Sequence, residues 1–432
     1  MLARNFSWKL SGYLLGGGVY FLFTLLLIRH LGPVEYGKFA FALGWAGLFA
    51  ILVDYGFNPI ITRDLSRSPT NGTGYWHHVQ SSKLLLWLAA AVLLTIFSLI
   101  QPQARKLLTL SWLALIFLGL NSFMETAQAF TYAYEKFRDG ALLTIAHKWL
   151  ITILGGSAIY IGWKTHGILA AMAVGATFGA LVMVWYFKHK LLPPLRGKVG
   201  IGGAIQQTLL PPPQSSPSRG EEVKLKVSLW EEAFPVLLQN IFIVIYFKID
   251  TVMLSFMAGD LQTGWYNAAY RFLELSNILP TAIMAVLVAP LSRQIHMNQW
   301  LPFFRKYLAG FLLAAFLGFL ILLVIASVLP RFILGYSFTP SQPILRVLAL
   351  TLFFYYPNYL LTMTLIFLKR QAANAWVALA CVFFNIGMNL YAIPRWGAMG
   401  AAWMTMATEA LISVVSLFLI FKWRNSAVPK TS

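Results

Sequence analysis

The sequence predicts an all-α integral membrane protein: about twelve transmembrane helices in two parallel-repeat six-helix lobes, with both termini cytoplasmic. Three observations carry this prediction. Of the 432 residues, 59% are hydrophobic and only 11% charged, far from the proportions of a soluble globular domain. The apolar residues fall into runs of roughly twenty, the length a helix needs to cross a hydrocarbon layer of about 30 Å. The chain also repeats itself on either side of one stretch rich in Pro, Ser, Gly and charge.

Between charged or Pro/Gly/Asn breaks, the first six spans run over about 10–28, 38–61, 84–100, 107–132, 141–162 and 167–187. The second six run over about 233–258, 266–290, 307–329, 344–367, 373–393 and 398–421. They are too long and too evenly apolar for the alternating segments of an outer-membrane barrel. The first run follows only two positive charges, as a signal peptide would. It lacks a small-residue cleavage site and is expected to remain as an uncleaved first helix. Pro59, Pro235, Pro280 and Pro357 interrupt the second, seventh, eighth and tenth spans, where each removes a backbone hydrogen bond and bends the helix.

The composition break gives a domain plan: a six-helix lobe over 1–190, a cytoplasmic linker over 191–232 containing "PPPQSSPSRGEEVKLK", and a second six-helix lobe over 233–432. "LGPVEYGKFAFAL" (31–43) can be laid on "AGDLQTGWYNAAY" (258–270), matching Gly32 with Gly259, Gly37 with Gly264, Phe39 with Tyr266 and Ala42 with Ala269. A second echo pairs "HGILAAM" (166–172) with "MGAAWMT" (399–405). Both echoes keep order and spacing, so a duplicated six-helix unit is expected. Six is even, so the two copies insert the same way up, as in transporters that bind between their halves and rock one against the other.

The net charge of +19 invites a nucleic-acid reading, but the charge sorts by side of the membrane. With the N-terminus inside, about 22 Lys and Arg fall in cytoplasmic segments and about 7 outside. This is the positive-inside pattern, and no nucleic-acid partner is needed to explain it. Four cations, Lys148, Lys248, Arg271 and Arg346, fall within spans or at their edges. The single cysteine, Cys381, excludes an intramolecular disulfide framework and a thiolate metal cluster. His77 and His78 are adjacent and cannot share a helix face, so no metal site is expected. No Walker motif is present, and "GGG" at 16–18 lacks the setting of a nucleotide fingerprint, so no cofactor is expected.

At "ARNFSWKLSGYLLGGGVYFLFTLLLIRHLGPVEYGKFAFALGW" and "DYGFNPIITRDLSR" the sequence resembles the polysaccharide flippases of the multidrug/oligosaccharidyl-lipid/polysaccharide superfamily. The resemblance continues in "KIDTVMLSFMAGDLQTGWYNAAYRFLE" and "NIGMNLYAIPRWGAMGAAWMT", and covers nearly the whole chain outside 191–230. It implies two lobes around a central, substrate-lined cavity. It also implies transfer of a polyprenyl-pyrophosphate-linked oligosaccharide from the inner to the outer leaflet of a bacterial cytoplasmic membrane. The partners it implies are that lipid-linked sugar, with a polysaccharide polymerase and glycosyltransferases acting on the same material. Which sugar is carried, and whether Na⁺ or H⁺ drives it, stay open.

An ionised side chain at mid-bilayer costs about 2.5 to 3.5 kcal/mol, so such groups face protein or a wet cavity. At about 1.5 Å of rise per residue, Lys248, Asp250, Arg271 and Glu274 share one level in the outer half of the membrane. Lys248 and Asp250, two apart, point in opposite directions. Asp250 is expected to pair with Arg271, which also engages Glu274. Lys248 is then left facing the cavity as a cation for pyrophosphate or an acidic sugar. A register-pinning set of salt bridges is the alternative.

Lys148, beside His147, is the first lobe's candidate for the same task, against snorkelling to the interface. Arg4 before the first helix is a candidate entry contact for phosphate. Arg29 and Arg346 mark the outer rim, and Arg29 joins the candidate substrate contacts. Glu125 and Glu409, deep in the fourth and twelfth spans, are candidate structural or ion-coupling carboxylates, as are Asp250 and Glu274. Tyr355, Tyr356 and Tyr359 around Pro357 are candidate sugar-stacking aromatics, with packing the alternative.

A membrane glycosyltransferase or polymerase would need a sizeable outer loop bearing acid/base or metal-binding groups, and the outer loops here are short, so no enzyme is expected. The nearer rivals are a cation-coupled multidrug antiporter and a lipid II flippase of the same superfamily. The "LGPVEYGKFAFAL" element favours the polysaccharide branch.

Overall fold

A computed structural model describes residue 8 and residues 11–67, 72–191, 219–296 and 300–423. Ten of its helices are long and apolar enough to cross a membrane. Two of these run for 53 residues each, Leu14–Ser66 and Gln371–Trp423. At 1.5 Å per residue such a helix would extend about 80 Å, well over twice the hydrocarbon thickness, so each must cross twice. Both break where required: Gly32 (φ 70°, ψ 172°) and Gly397 (φ 55°, ψ −134°) leave helical geometry, and twelve crossings result.

The principal helices are α1 (Gly18–Asp54), α2 (Phe57–Arg67), α3 (Gly72–Ile100), α4 (Leu108–Ala133), α5 (Phe137–Tyr160) and α6 (Thr165–Tyr186). They continue with α7 (Arg219–Met257), α8 (Gly259–Ser276), α9 (Ile278–His296), α10 (Trp300–Val328), α11 (Ser341–Phe367) and α12 (Gln371–Trp423). Crossing 1 ends at Gly32, and crossing 2 is the rest of α1 with α2; crossing 8 is α8 with α9.

The four prolines act in two ways. Pro235 and Pro357 lie inside α7 and α11. Pro59 and Pro280 stand third in α2 and α9, where a missing backbone N–H costs nothing. The break before α2 is made by Tyr55 and Gly56, both at positive φ.

Two compact units partition the chain. One comprises Met1–Phe23, Phe49–Ile100 and Leu108–Asn240, and the other Thr24–Leu48, Gln101–Leu107 and Ile241–Ser432. Of the expected linker, 192–218 falls outside the described residues, whereas 219–232 opens α7. Apolar residues explain that start: Leu229 and Ala233 are buried in the first unit's aromatic core with Phe57, Trp76, Phe130 and Phe187. Trp230 meets Tyr55 and Phe57 edge-on, and Arg63 pairs with Glu232.

The second unit contains both copies of the repeated element. Gly32 and Gly259, aligned in sequence, both take positive φ (70° and 81°) where their helices begin. The aligned Gly37 and Gly264 lie in reciprocal contact. A Cβ on Gly37 would collide with the carbonyl of Asp260, and one on Gly264 with the carbonyl of Pro33. In the alignment, Pro33 and Asp260 are themselves partners.

Candidate functional site

The second unit carries a polar recess between α1, α7 and α8, lined by Gly44, Lys248, Asn267, Tyr270, Arg271 and Glu274. At Gly44, α1 packs on α7: a Cβ there would lie in ordinary van der Waals contact with Thr251, at 3.4 Å. On α8, Arg271 and Glu274 are three apart and so share a face. Arg271 Nη1 donates to Glu274 Oε2 at 2.6 Å, and Arg271 Nε to the Tyr36 hydroxyl at 3.2 Å. Lys248 Nζ stands 3.6 Å from the other oxygen, Glu274 Oε1. Two cations thus share one carboxylate, and the recess carries a formal excess of one positive charge. Lys248 and Glu274 retain side-chain exposures of 37% and 31%, so the group is reachable.

Asp250 does not pair with Arg271 as the sequence led us to expect. Its helix turns it the other way, as the two-residue offset from Lys248 requires, into a buried neutral network. Asp250 Oδ2 accepts from Tyr266 and Thr405 hydroxyls, each at 3.0 Å, and Oδ1 accepts from Asn389 Nδ2 at 2.8 Å. Asn389 Nδ2 also reaches Asn385 Oδ1 at 3.1 Å, while Asn389 Oδ1 is buried with no hydrogen-bond partner. The salt bridge expected of Asp250 falls instead to Lys248.

Glu409 is buried on α12. Tyr246 donates to Oε1, and Asn358 donates to Oε2 at 2.6 Å and to the Glu409 main-chain oxygen at 3.1 Å. Ser413 completes the set by donating to Asn358 Oδ1 at 2.7 Å. The aromatic cluster around Pro357 needs correcting in part. Tyr356 is 1% exposed and donates to the Ser276 carbonyl, and Tyr355 is 8% exposed, so packing leaves neither face open for a sugar ring. Tyr359 is the half-buried member. Arg29 Nη1 donates to the Phe332 carbonyl at 3.3 Å in the second unit, Arg346 is exposed, and Arg4 lies outside the described residues.

In the first unit the sequence reading missed Lys83 and its partner Asp54. Lys83 falls just outside the predicted third span and was expected in a cytoplasmic segment. In the structure α3 begins at Gly72, and the Lys83 side chain is 0% exposed. It donates to Ser122 Oγ at 2.7 Å and to the Ser122 carbonyl at 3.0 Å, with Asp54 Oδ1 3.6 Å away. Asp54 also accepts from Asn58, whose Oδ1 accepts from Thr126, so the network ties α1, α2, α3 and α4 together. Glu125 is exposed and within electrostatic reach of Asp54, Lys83 and Lys148. Lys148 lies over the Tyr20 ring, 4.8 Å from its centroid, and buried His147 contacts Asn121. Here two cations face two carboxylates, leaving no formal excess. Among the described residues, no cluster of three or more His, Cys, Asp or Glu could hold a metal ion.

This fold is shared. The chain superposes on an inward-facing multidrug-resistance MATE transporter of the MOP superfamily with a TM-score of 0.73 at 13% identity, covering 96% of both chains. On the lipid II flippase MurJ, in an inward closed conformation, the TM-score is 0.71 at 13% identity, covering 98% of this chain and 90% of that one. An outward-facing MATE transporter gives 0.59 at 14% identity, over 98% and 96%. No curated protein sequence matches the chain. Residues 2–296, well over half its length, do match the family model described as "Polysaccharide biosynthesis protein". The chain therefore belongs to the polysaccharide biosynthesis protein family.

Proposed function

We propose that this protein is a flippase that carries a polyprenyl-pyrophosphate-linked oligosaccharide, a surface-polysaccharide repeat unit, from the inner to the outer leaflet of the bacterial cytoplasmic membrane by alternating access. The observation that carries this reading is the Lys248–Glu274–Arg271 group, a reachable recess within the membrane whose cations outnumber its carboxylates. An anionic pyrophosphate or an acidic sugar would balance that excess. An organic cation, the cargo of the rival antiporter, would be repelled by it. Lys148 and Glu125 serve the first lobe, with Tyr359 the remaining aromatic contact for sugar. Arg4, by its place in the sequence, and Arg29 are further candidate phosphate contacts.

The test is leaflet exchange of a fluorescent polyprenyl-pyrophosphate oligosaccharide in proteoliposomes. A charge-assisted contact contributes about 1.5 kcal/mol, so Lys248→Gln is expected to lower the initial rate about tenfold. A stably inserted Lys248→Gln protein that flips at the parent rate would sink the lysine's role. Export of an organic cation, with no lipid exchange under any ion gradient, would sink the flippase.

Ion coupling is assigned to Asp250. The Asp250 carboxylate, the Thr405 hydroxyl and the unpartnered Asn389 Oδ1 supply oxygens from one buried network, a ligand type suited to a hard monovalent cation such as Na⁺, which would displace the Tyr266, Thr405 and Asn389 donors from the carboxylate. Those groups would hold the ion; its gradient would supply the driving force. Asp250→Asn is expected to make flipping indifferent to an imposed Na⁺ gradient while leaving gradient-free exchange measurable. An unchanged Na⁺ response in that variant, or a response only to a H⁺ gradient in the parent, would refute a sodium role.

A further inference from the structure

The two cations of the polar recess are not held alike. Arg271 is fixed at two points, by Glu274 Oε2 at 2.6 Å and by the hydroxyl of Tyr36, a residue of α1 with no exposed surface. Lys248 has a looser hold. Among the described residues its ammonium meets one side chain, Glu274 Oε1 at 3.6 Å, beyond the roughly 2.7 to 3.2 Å of an N–H···O bond. Its stem passes Gly47 of α1, where a Cβ would stand 4.0 Å from Lys248 Cγ with nothing nearer. The arm therefore has room to move, and a flexible stem to move with.

Space decides where an anion can enter. The recess encloses about 20 Å³, on the order of one water molecule. A phosphate group cannot share that space with the contact between Lys248 and Glu274. It can enter where the contact opens, because the other side of Glu274 is closed by the Arg271 hydrogen bond.

Charge counting points the same way. A cation without a counter-ion is costly inside a membrane, so before an anion arrives one carboxylate must serve both cations. Once a phosphate reaches Lys248, Arg271 keeps Glu274 and each cation has its own anion. Glu274 and the phosphate thus compete for one ammonium. We propose that Glu274 is the internal counter-ion of Lys248, displaced from it by one phosphate of the lipid-linked substrate and reclaiming it as the substrate leaves. Arg271 and Tyr36 are positioning residues that hold the carboxylate in place while Lys248 swings away. A site that passes cargo on must bind strongly enough to admit it and weakly enough to release it, and the competing carboxylate supplies the release. The inference rests on the flippase reading above and gives Glu274 a task within it.

Binding of inorganic pyrophosphate to the purified full-length protein, followed by titration calorimetry, tests the exchange. Glu274→Gln keeps an acceptor for Arg271 but frees Lys248, and should bind pyrophosphate about tenfold more tightly than the parent, the worth of one charge-assisted contact. In a Lys248→Gln background the same change should gain less than about threefold, since no ammonium is left to free. In proteoliposomes Glu274→Gln should lower both the half-saturating concentration of the fluorescent lipid-linked oligosaccharide and its maximal flipping rate, because release slows. Should Glu274→Gln fail to insert, Glu274→Asp, which keeps the charge but shortens the arm toward α7, decides by the same comparison. Equal gains in the two backgrounds, or no gain in the parent while Lys248→Gln weakens binding, would overturn the counter-ion role and leave the recess an anion site. Pyrophosphate binding indifferent to both Lys248→Gln and Glu274→Gln would overturn the recess itself, and with it the observation on which the flippase reading stands.

Discussion

Gly37→Leu and Gly264→Leu should each yield protein that inserts poorly and unfolds far below the parent's thermal midpoint. At both positions the obstacle is a carbonyl of another backbone segment, Asp260 for the first and Pro33 for the second. Overpacking against mobile side chains costs typically 1 to 3 kcal/mol, because neighbours can change rotamer. Main chain held in helix starts cannot, so at least ~3 kcal/mol is expected here. Gly18→Leu is the control, since a Cβ there has nothing within 4 Å and the helix gains propensity. Size-exclusion of fluorescently tagged protein after a temperature series would check all three. Equal midpoints for Gly37→Leu and Gly18→Leu would contradict the close crossing.

The second large effect is expected at Lys83. Lys83→Met leaves Asp54 facing an apolar side chain and removes both donations to Ser122. Breaking one side of a buried pair costs about 3 to 5 kcal/mol, and the 20% exposure of Asp54 places this case toward the lower end. Asp54→Asn alone should cost less, since Asn58 can still donate to it. The double variant should recover much of the Lys83→Met loss, because it removes the stranded charge. A double-mutant cycle on thermal unfolding measures that coupling, and strict additivity would mean that the two groups ignore each other.

The legible parts of this molecule are those governed by long runs of residues. Twenty apolar side chains in a row leave the backbone no choice but helix, and the charge asymmetry orients the stack. The repeat could be read because glycine is required twice for the same reason. Shared depth placed Lys248, Arg271 and Glu274 together correctly, since rise per residue is nearly constant. Azimuth was harder. Sequence spacing said that Lys248 and Asp250 diverge, but which of them met α8's charges depended on how α7 is rotated, and that is set by packing. Asn385 and Asn389, four apart in "NIGMN", form a polar helix face that the sequence analysis passed over, and Asp250 turns toward it. Lys83 was hidden for another reason. It stands at the margin of an apolar run, where topology alone accounts for a lysine, and only Asp54 and Ser122 on other helices draw it inside.

The crossing of Gly37 and Gly264 has the form of a two-fold interface, in which residue i of one copy meets residue j of the other and the converse also holds. Because the two segments align with one another, the same change at either aligned position meets the carbonyl of the other segment. Each glycine is held in place by its own half of the contact, and Pro33 and Asp260, unlike in side chain, present the same carbonyl to the opposite helix.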